Sequence, residues 1–175
     1  GIGIKYGFTS NLTGEITFNP DFSQVESDAA QIDVNSSSAI FYPEKRPFFL
    51  DGGNIFNSYI NVVYTRMLNN PLYAAKLIGK IDDVDVGYLM GYDQNTTYII
   101  PSKYGSSVVS TELKSFGNAL RLKKSISGES FIGLIATDRE TGDAYNRVAG
   151  FDGSINFWKN YYFNFEALGY FTKEL

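Results

Sequence analysis

The sequence predicts an all-β protein, an antiparallel transmembrane β-barrel that is a portion of a larger barrel, and three observations carry that expectation. Apolar and polar residues alternate with a period of two from the first residues onward, which places successive side chains on opposite faces of a strand. The apolar face is aromatic-rich while the other mixes charges with glycine, a pairing that suits lipid outside and a watery or plugged lumen inside better than a soluble sandwich. Tight turns also alternate with long connections, as in outer-membrane barrels with short turns at one rim and long loops at the other.

Taken in order, Ile2, Ile4, Tyr6 and Phe8 share a face with Leu12, Ile16 and Phe18, opposite Gly3, Lys5, Gly7, Thr13, Glu15, Thr17 and Asn19. Tyr73, Ala75, Leu77 and Ile81 oppose Lys76 and Lys80, and Val84, Val86, Tyr88, Met90 and Tyr92 oppose Asp85, Gly87, Gly91 and Asp93. Leu120, Leu122 and Ile126 oppose Arg121 and Lys123; the apolar run at 131–136 leaves its faces ambiguous. Phe151, Ile155 and Phe157 oppose Asp152, Ser154 and Asn156, and Tyr161, Phe163, Phe165, Ala167 and Phe171 oppose Asn164 and Glu166. This reads as about eight strands in four hairpins. Turn-forming residues at 9–11, 82–83, 127–129 and 159–160 close the hairpins, and residues 20–71, 93–115 and 138–147 read as the long connections.

A mean hydropathy of -0.16 over 175 residues leaves no transmembrane helix, but barrel strands of about ten alternating residues escape such an average. The 13 Tyr and 14 Phe fit aromatic girdles. With no Cys and no His, a disulfide, a Cys nucleophile, a Ser-His-Asp relay and a Cys/His zinc site are all excluded within the chain. A net charge of -4 without a basic run or phosphate loop argues against nucleic acid as a partner. A start at Gly1, already inside a strand and without a signal peptide, leads us to expect a mature part of a longer chain.

The runs Asn19-Pro-Asp-Phe-Ser-Gln-Val-Glu-Ser-Asp28, Phe41-Tyr-Pro-Glu-Lys-Arg-Pro-Phe-Phe-Leu-Asp-Gly52 and Asn54-Ile-Phe56 carry a family resemblance, continued more loosely by Ala74-Ala-Lys-Leu-Ile-Gly79 and Leu134-Ile-Ala-Thr-Asp-Arg139. The chain resembles a family of Gram-negative outer-membrane proteins of unassigned function. In that family a module similar to family-nine carbohydrate-binding domains precedes a large C-terminal β-barrel. The resemblance implies a bacterial outer-membrane location, lipid as a partner, and strands continuing beyond Leu175. It also brings carbohydrate and other outer-membrane proteins into view as partners.

Read as one segment, residues 1–175 form the barrel portion, with 20–71 a long plug or extracellular loop. About fifty residues without periodicity yet rich in aromatics point to a packed loop rather than disorder. Phe48, Phe49 and Phe56 are expected to bury against the inner wall, with Pro43 and Pro47 holding an extended path and Glu44, Lys45 and Arg46 meeting charged lumen residues. Asp21, Glu26, Asp28 and Asp33 offer oxygen ligands for Ca²⁺, although their spacing is not that of an EF-hand. Glu26 with Asp28, or Glu44 with Asp51, could supply the acid and base of a glycosidase, which needs a defined carboxyl separation. Loop aromatics and polar groups, Tyr92, Tyr98, Tyr104 and Tyr145 with Asn95, Lys103, Asp138, Arg139 and Asp143, could contact a glycan. The expected function is a barrel that binds or transports a solute such as a carbohydrate, with no catalytic centre inside this segment. The alternatives are a membrane-associated hydrolase acting on glycans through loop carboxylates, and a structural anchor or assembly component.

Overall fold

The computed structural model describes residues 1–20, 44–68, 70–102, 105–158 and 161–174. These residues form β1 (Ile2–Thr9), β2 (Leu12–Phe18), β3 (Pro71–Ile81), β4 (Val84–Asp93), β5 (Thr96–Ser102), β6 (Gly105–Thr111), β7 (Ser115–Ser127), β8 (Ser130–Thr141), β9 (Ala144–Trp158) and β10 (Tyr161–Lys173). Eight of them make one antiparallel sheet in the order β1-β2-β3-β4-β7-β8-β9-β10, while β5 and β6 pair with each other as a separate ribbon. Helix among the described residues is limited to one turn, α1 (Pro47–Leu50), and two 3-10 turns at Gly53–Phe56 and Thr65–Met67. β1 and β10 lie at opposite edges, so the sheet is open and not closed as a barrel among the described residues.

Register joins the alternating patterns of the separate strands into two continuous faces. Ile4 pairs with Ile16, Ile16 with Ala75, and Ala75 with Met90; further along, Leu122 pairs with Leu134, Leu134 with Phe151, and Phe151 with Ala167. This apolar face is exposed, with Ile4 at 61% and Phe163 at 58% of full accessibility. Tyr73 and Tyr92 stack on it at 5.3 Å. The opposite face carries Thr17, Lys76, Arg121, Asp152 and Ser154, all of them buried. The usual relation of a soluble sheet, apolar inside and polar outside, is thus reversed.

Residues 44–68 cover the polar face. Phe48, Phe49 and Phe56 form a core with Ala74, Leu89 and Ala119 of the sheet, and Ile55, Val63, Leu68 and Ile78 pack around it. The glycines of this face have a steric reason. A Cβ on Gly87 would lie 2.7 Å from Ile55, and one on Gly91 would lie 2.8 Å from Leu68. Glycine therefore lets the covering segment approach the sheet backbone.

Several expectations are corrected. The eight strands found in the sheet are joined by a further hairpin, β5–β6, within what reads as the 93–115 loop, giving ten strands among the described residues. Residues 138–147 are not a long connection: β8 runs to Thr141, Gly142 takes the left-handed conformation at φ 60, and β9 starts at Ala144. Asp138 and Arg147 mimic a polar loop because their charges sit on the exposed face near a rim, where they pair across the strands at 3.0 Å. The asymmetry of the rims consequently rests on two long connections. The ambiguous run in β8 resolves with Ile132 and Leu134 exposed and Ile135 buried. Of the expected turns, Asp82 adopts φ 51 in the β3–β4 turn, as an acidic turn residue can. The expected turn at 159–160 lies outside the described residues.

Candidate functional site on the covered face

The site begins with an acid and a cation two residues apart. One oxygen of Glu44 accepts hydrogen bonds from the backbone N–H groups of Lys45 at 3.0 Å and Arg46 at 2.9 Å and from Arg46 Nε at 2.8 Å. The other accepts from Arg46 Nη2 at 2.7 Å and from the Thr65 hydroxyl at 2.6 Å. Arg46 continues to the Thr65 carbonyl at 2.9 Å and to the Leu68 carbonyl. The pair thus ties the start of the covering segment to its end. Burial pushes the Glu44 carboxyl up, but the hydrogen bonds from Arg46 and Thr65 and the Arg46 charge outweigh it, holding its pKa at about 2.

Pro47 follows at the first helical position, where its missing N–H costs nothing. The one-turn helix buries Phe48 and Phe49 edge to face at 5.0 Å, and the Arg46 guanidinium lies 4.2 Å from the Phe49 ring centre. Gly52 ends the turn at φ 70, and a Cβ there would also lie 2.9 Å from Ile78, so both conformation and space call for glycine. The helix end is held by Lys76 of β3, whose ammonium donates to the carbonyls of Phe48 at 2.7 Å and Asp51 at 2.9 Å. Glu15 at 3.1 Å and Asp51 at 3.5 Å balance its charge. A hydrogen bond from Lys5, with Lys76 nearby, holds the Asp51 carboxyl below its usual range. At the far end of the segment Glu166 of β10 accepts from the Ile60 N–H at 2.7 Å.

Deeper on the same face Arg121 of β7 and Asp152 of β9 meet in a two-toothed ion pair, Nη1 to Oδ1 at 2.5 Å and Nη2 to Oδ2 at 2.7 Å, with both side chains 1% exposed. Gly133 on the intervening β8 makes the pair possible, because a Cβ there would sit 2.4 Å from Asp152 Oδ1. Three cavities lie along the covering segment. One of about 170 Å³ is lined by Val62, Leu68, Ala119 and Val148; another of about 340 Å³ by Phe49, Asn54, Asn57, Asn61 and Tyr64; a third of about 680 Å³ by Asn54, Asn57, Lys80, Asp85 and Lys123.

Among the residues singled out from sequence, Phe48, Phe49, Glu44 and Arg46 come together here, with Lys45 contributing its backbone. Asp21, Glu26, Asp28 and Asp33, the proposed Ca²⁺ ligands, lie outside the described residues, as do Phe41, Tyr42, Pro43, Lys103 and Tyr104. Among the described residues no group of three or more acidic, His or Cys side chains is placed to hold a metal. Glu44 and Asp51, the other suggested acid and base, each meet a cation: Glu44 pairs with Arg46 at 2.7 Å and Asp51 with Lys5 at 2.6 Å. Among the described members of the suggested glycan-contacting set, Tyr92 and Tyr145 belong to the exposed face of β4 and β9, and Arg139 to the other face of β8. Sequence reasoning passed over Lys76, Arg121, Asp152 and Glu166 as site residues. Their one signal is a charge at a polar-face position within an apolar strand.

The folded pKa of Glu44 lies below the ordinary carboxylate value of 4.5, so its stabilising contribution is complete above that value and is lost as pH falls toward about 2. Pepsin cleavage near Phe48 and Phe49 is expected to be slow at pH near 4.5 and fast near 2, with Glu44→Gln cleaved readily at both. Equal resistance of the wild type at both pH values would contradict this.

A model of the family described as "Domain of unknown function (DUF5916)" matches residues 1–83, a stretch similar to that family from β1 to the β3–β4 turn and including the covering segment. No curated protein and no solved structure matches the chain.

Proposed function

We propose that the chain is a portion of a transmembrane β-barrel of the Gram-negative outer membrane, with the exposed apolar face toward lipid and residues 44–68 as a plug on the lumen side. On this reading it belongs with barrel proteins preceded by a carbohydrate-binding-like module, and its lumen binds or passes a solute such as a carbohydrate. The observation that carries the reading is the reversal of the two faces: exposed Ile, Phe or Tyr side chains in β1, β2, β3, β7, β8, β9 and β10, continued by half-buried Val86, Tyr88 and Met90 in β4, against buried Lys76, Arg121 and Asp152. An apolar surface of this extent is not left to water by a soluble monomer. The apolar band gives way to Asp138, Glu140 and Arg147 near one rim, as a membrane-facing strand does at the headgroup level. The covering segment favours a plugged wall with binding pockets over an open pore.

The test is substitution on the two faces, read by urea unfolding of the full-length protein in phosphatidylcholine vesicles. Phe151→Arg, on the exposed face, should destabilise by about 2–4 kcal/mol if it lies near the bilayer centre. Asn164→Arg, exposed on the other face, should be mild. Thr17 and Ser154, which the alternation places on the same polar face, are buried and do not serve as controls. Equal effects on both faces, or purification of the wild type as a soluble monomer without detergent, would overturn the reading.

A further inference from the structure

We infer that the cavity of about 340 Å³ beneath the covering segment is a binding site for a neutral polyhydroxylated ligand, with Asn54, Asn57 and Asn61 as its hydrogen-bonding groups. The inference rests on the lumen-side placement proposed above and names the site and ligand chemistry within it.

Asparagine in turns ordinarily uses its amide to bond nearby backbone. Asn54 lies in a 3-10 turn and Asn57 caps its end; all three asparagines are exposed, and among the described residues the side chains of Asn54, Asn57 and Asn61 make no hydrogen bond. Three amides around one cavity therefore keep their donors and acceptors available. Asn54 and Asn57 also line the larger cavity of about 680 Å³.

The charges nearby select for neutrality. Glu44 is neutralised by Arg46, and Lys76 is bound to two carbonyls and two carboxylates, so the smaller cavity offers no uncompensated charge to an ion. Phe49 and Tyr64 supply apolar wall on the same cavity. A ligand with hydroxyls at its edge and C–H groups on its faces matches both features. Each hydroxyl both donates and accepts, as each amide does. A saccharide ring has that chemistry, and pockets of this kind combine an apolar wall with a few convergent polar groups.

The experiment is calorimetric titration of the full-length protein in detergent with glucose, N-acetylglucosamine and maltose. At least one sugar should bind, and the triple variant Asn54→Ala/Asn57→Ala/Asn61→Ala should weaken that binding at least about tenfold, since several net hydrogen bonds are lost. Asn164→Ala should leave it unchanged. The single variants guard against misfolding of the triple one: each should weaken binding while keeping the wild-type urea midpoint. No binding of any of the three sugars, or binding indifferent to the asparagines, overturns the inference. Should that occur while the protein still inserts into vesicles with face-dependent sensitivity, the site fails and the membrane reading stands.

Discussion

Arg121→Ala is expected to destabilise the protein by about 3–5 kcal/mol, because it leaves the Asp152 carboxylate buried without its partner. Both side chains are 1% exposed, so water cannot take over the lost hydrogen bonds without the wall opening. Asp152→Ala should cost a similar amount by stranding the guanidinium. Replacing both, as Arg121→Met with Asp152→Leu, should be far milder, since the desolvation cost of two charges disappears together with their attraction. The pair spans β7 and β9 over Gly133 of β8, so it fixes the relative position of strands that are not neighbours in the sheet. Urea unfolding in vesicles of the wild type, Arg121→Ala, Asp152→Ala and the variant carrying both alanines forms a double-mutant cycle. A coupling near zero would mean that the pair holds nothing together.

How far the fold was legible depends on whether its determinants were local. The alternation in β1, β2, β3, β4, β9 and β10 was readable because each strand sorts its own residues onto two faces, and register then joins Ile16 to Ala75 or Phe151 to Ala167 without conflict. β8 was ambiguous because Leu134 and Ile135 are both apolar, one exposed and one buried, so period two disappears. The β8–β9 turn was missed for the opposite reason: charged residues beyond the apolar band resemble a loop when the cross-strand bond from Arg147 to Asp138 is not known. The aromatic content of the covering segment announced that it packs, and Phe48, Phe49 and Phe56 are buried. Its anchors were not legible. Lys76 reaches Phe48 across 28 residues of sequence, and Glu166 reaches Ile60 across 106, and such contacts exist only once the strands are in register.

Arg46 carries the second large expectation. Arg46→Ala should destabilise the covering segment by about 3–5 kcal/mol, because the guanidinium is 3% exposed, neutralises Glu44 and reaches the carbonyls of Thr65 and Leu68 at once. The removal leaves a partly buried carboxylate, two carbonyls and one face of the Phe49 ring without their partner. Arg46→Lys should recover only part of the loss. An ammonium restores the charge but cannot present a planar fork to two carboxylate oxygens while also reaching carbonyls on the opposite side. Because the Arg46 contacts to Glu44, Thr65, Leu68 and Phe49 all lie within residues 44–68, the defect should be local: amides of Phe49, Leu50 and Asp51, which bond to Arg46 and Pro47 carbonyls, should exchange faster with deuterium while those of β7 and β8 keep their protection. Adding Glu44→Gln to Arg46→Ala should return part of the stability, since the stranded charge is gone even though the cross-segment bonds are not. Exchange that rises equally across the sheet would show that the segment and the wall unfold as one unit, and the view of Arg46 as a local clasp would have to be abandoned.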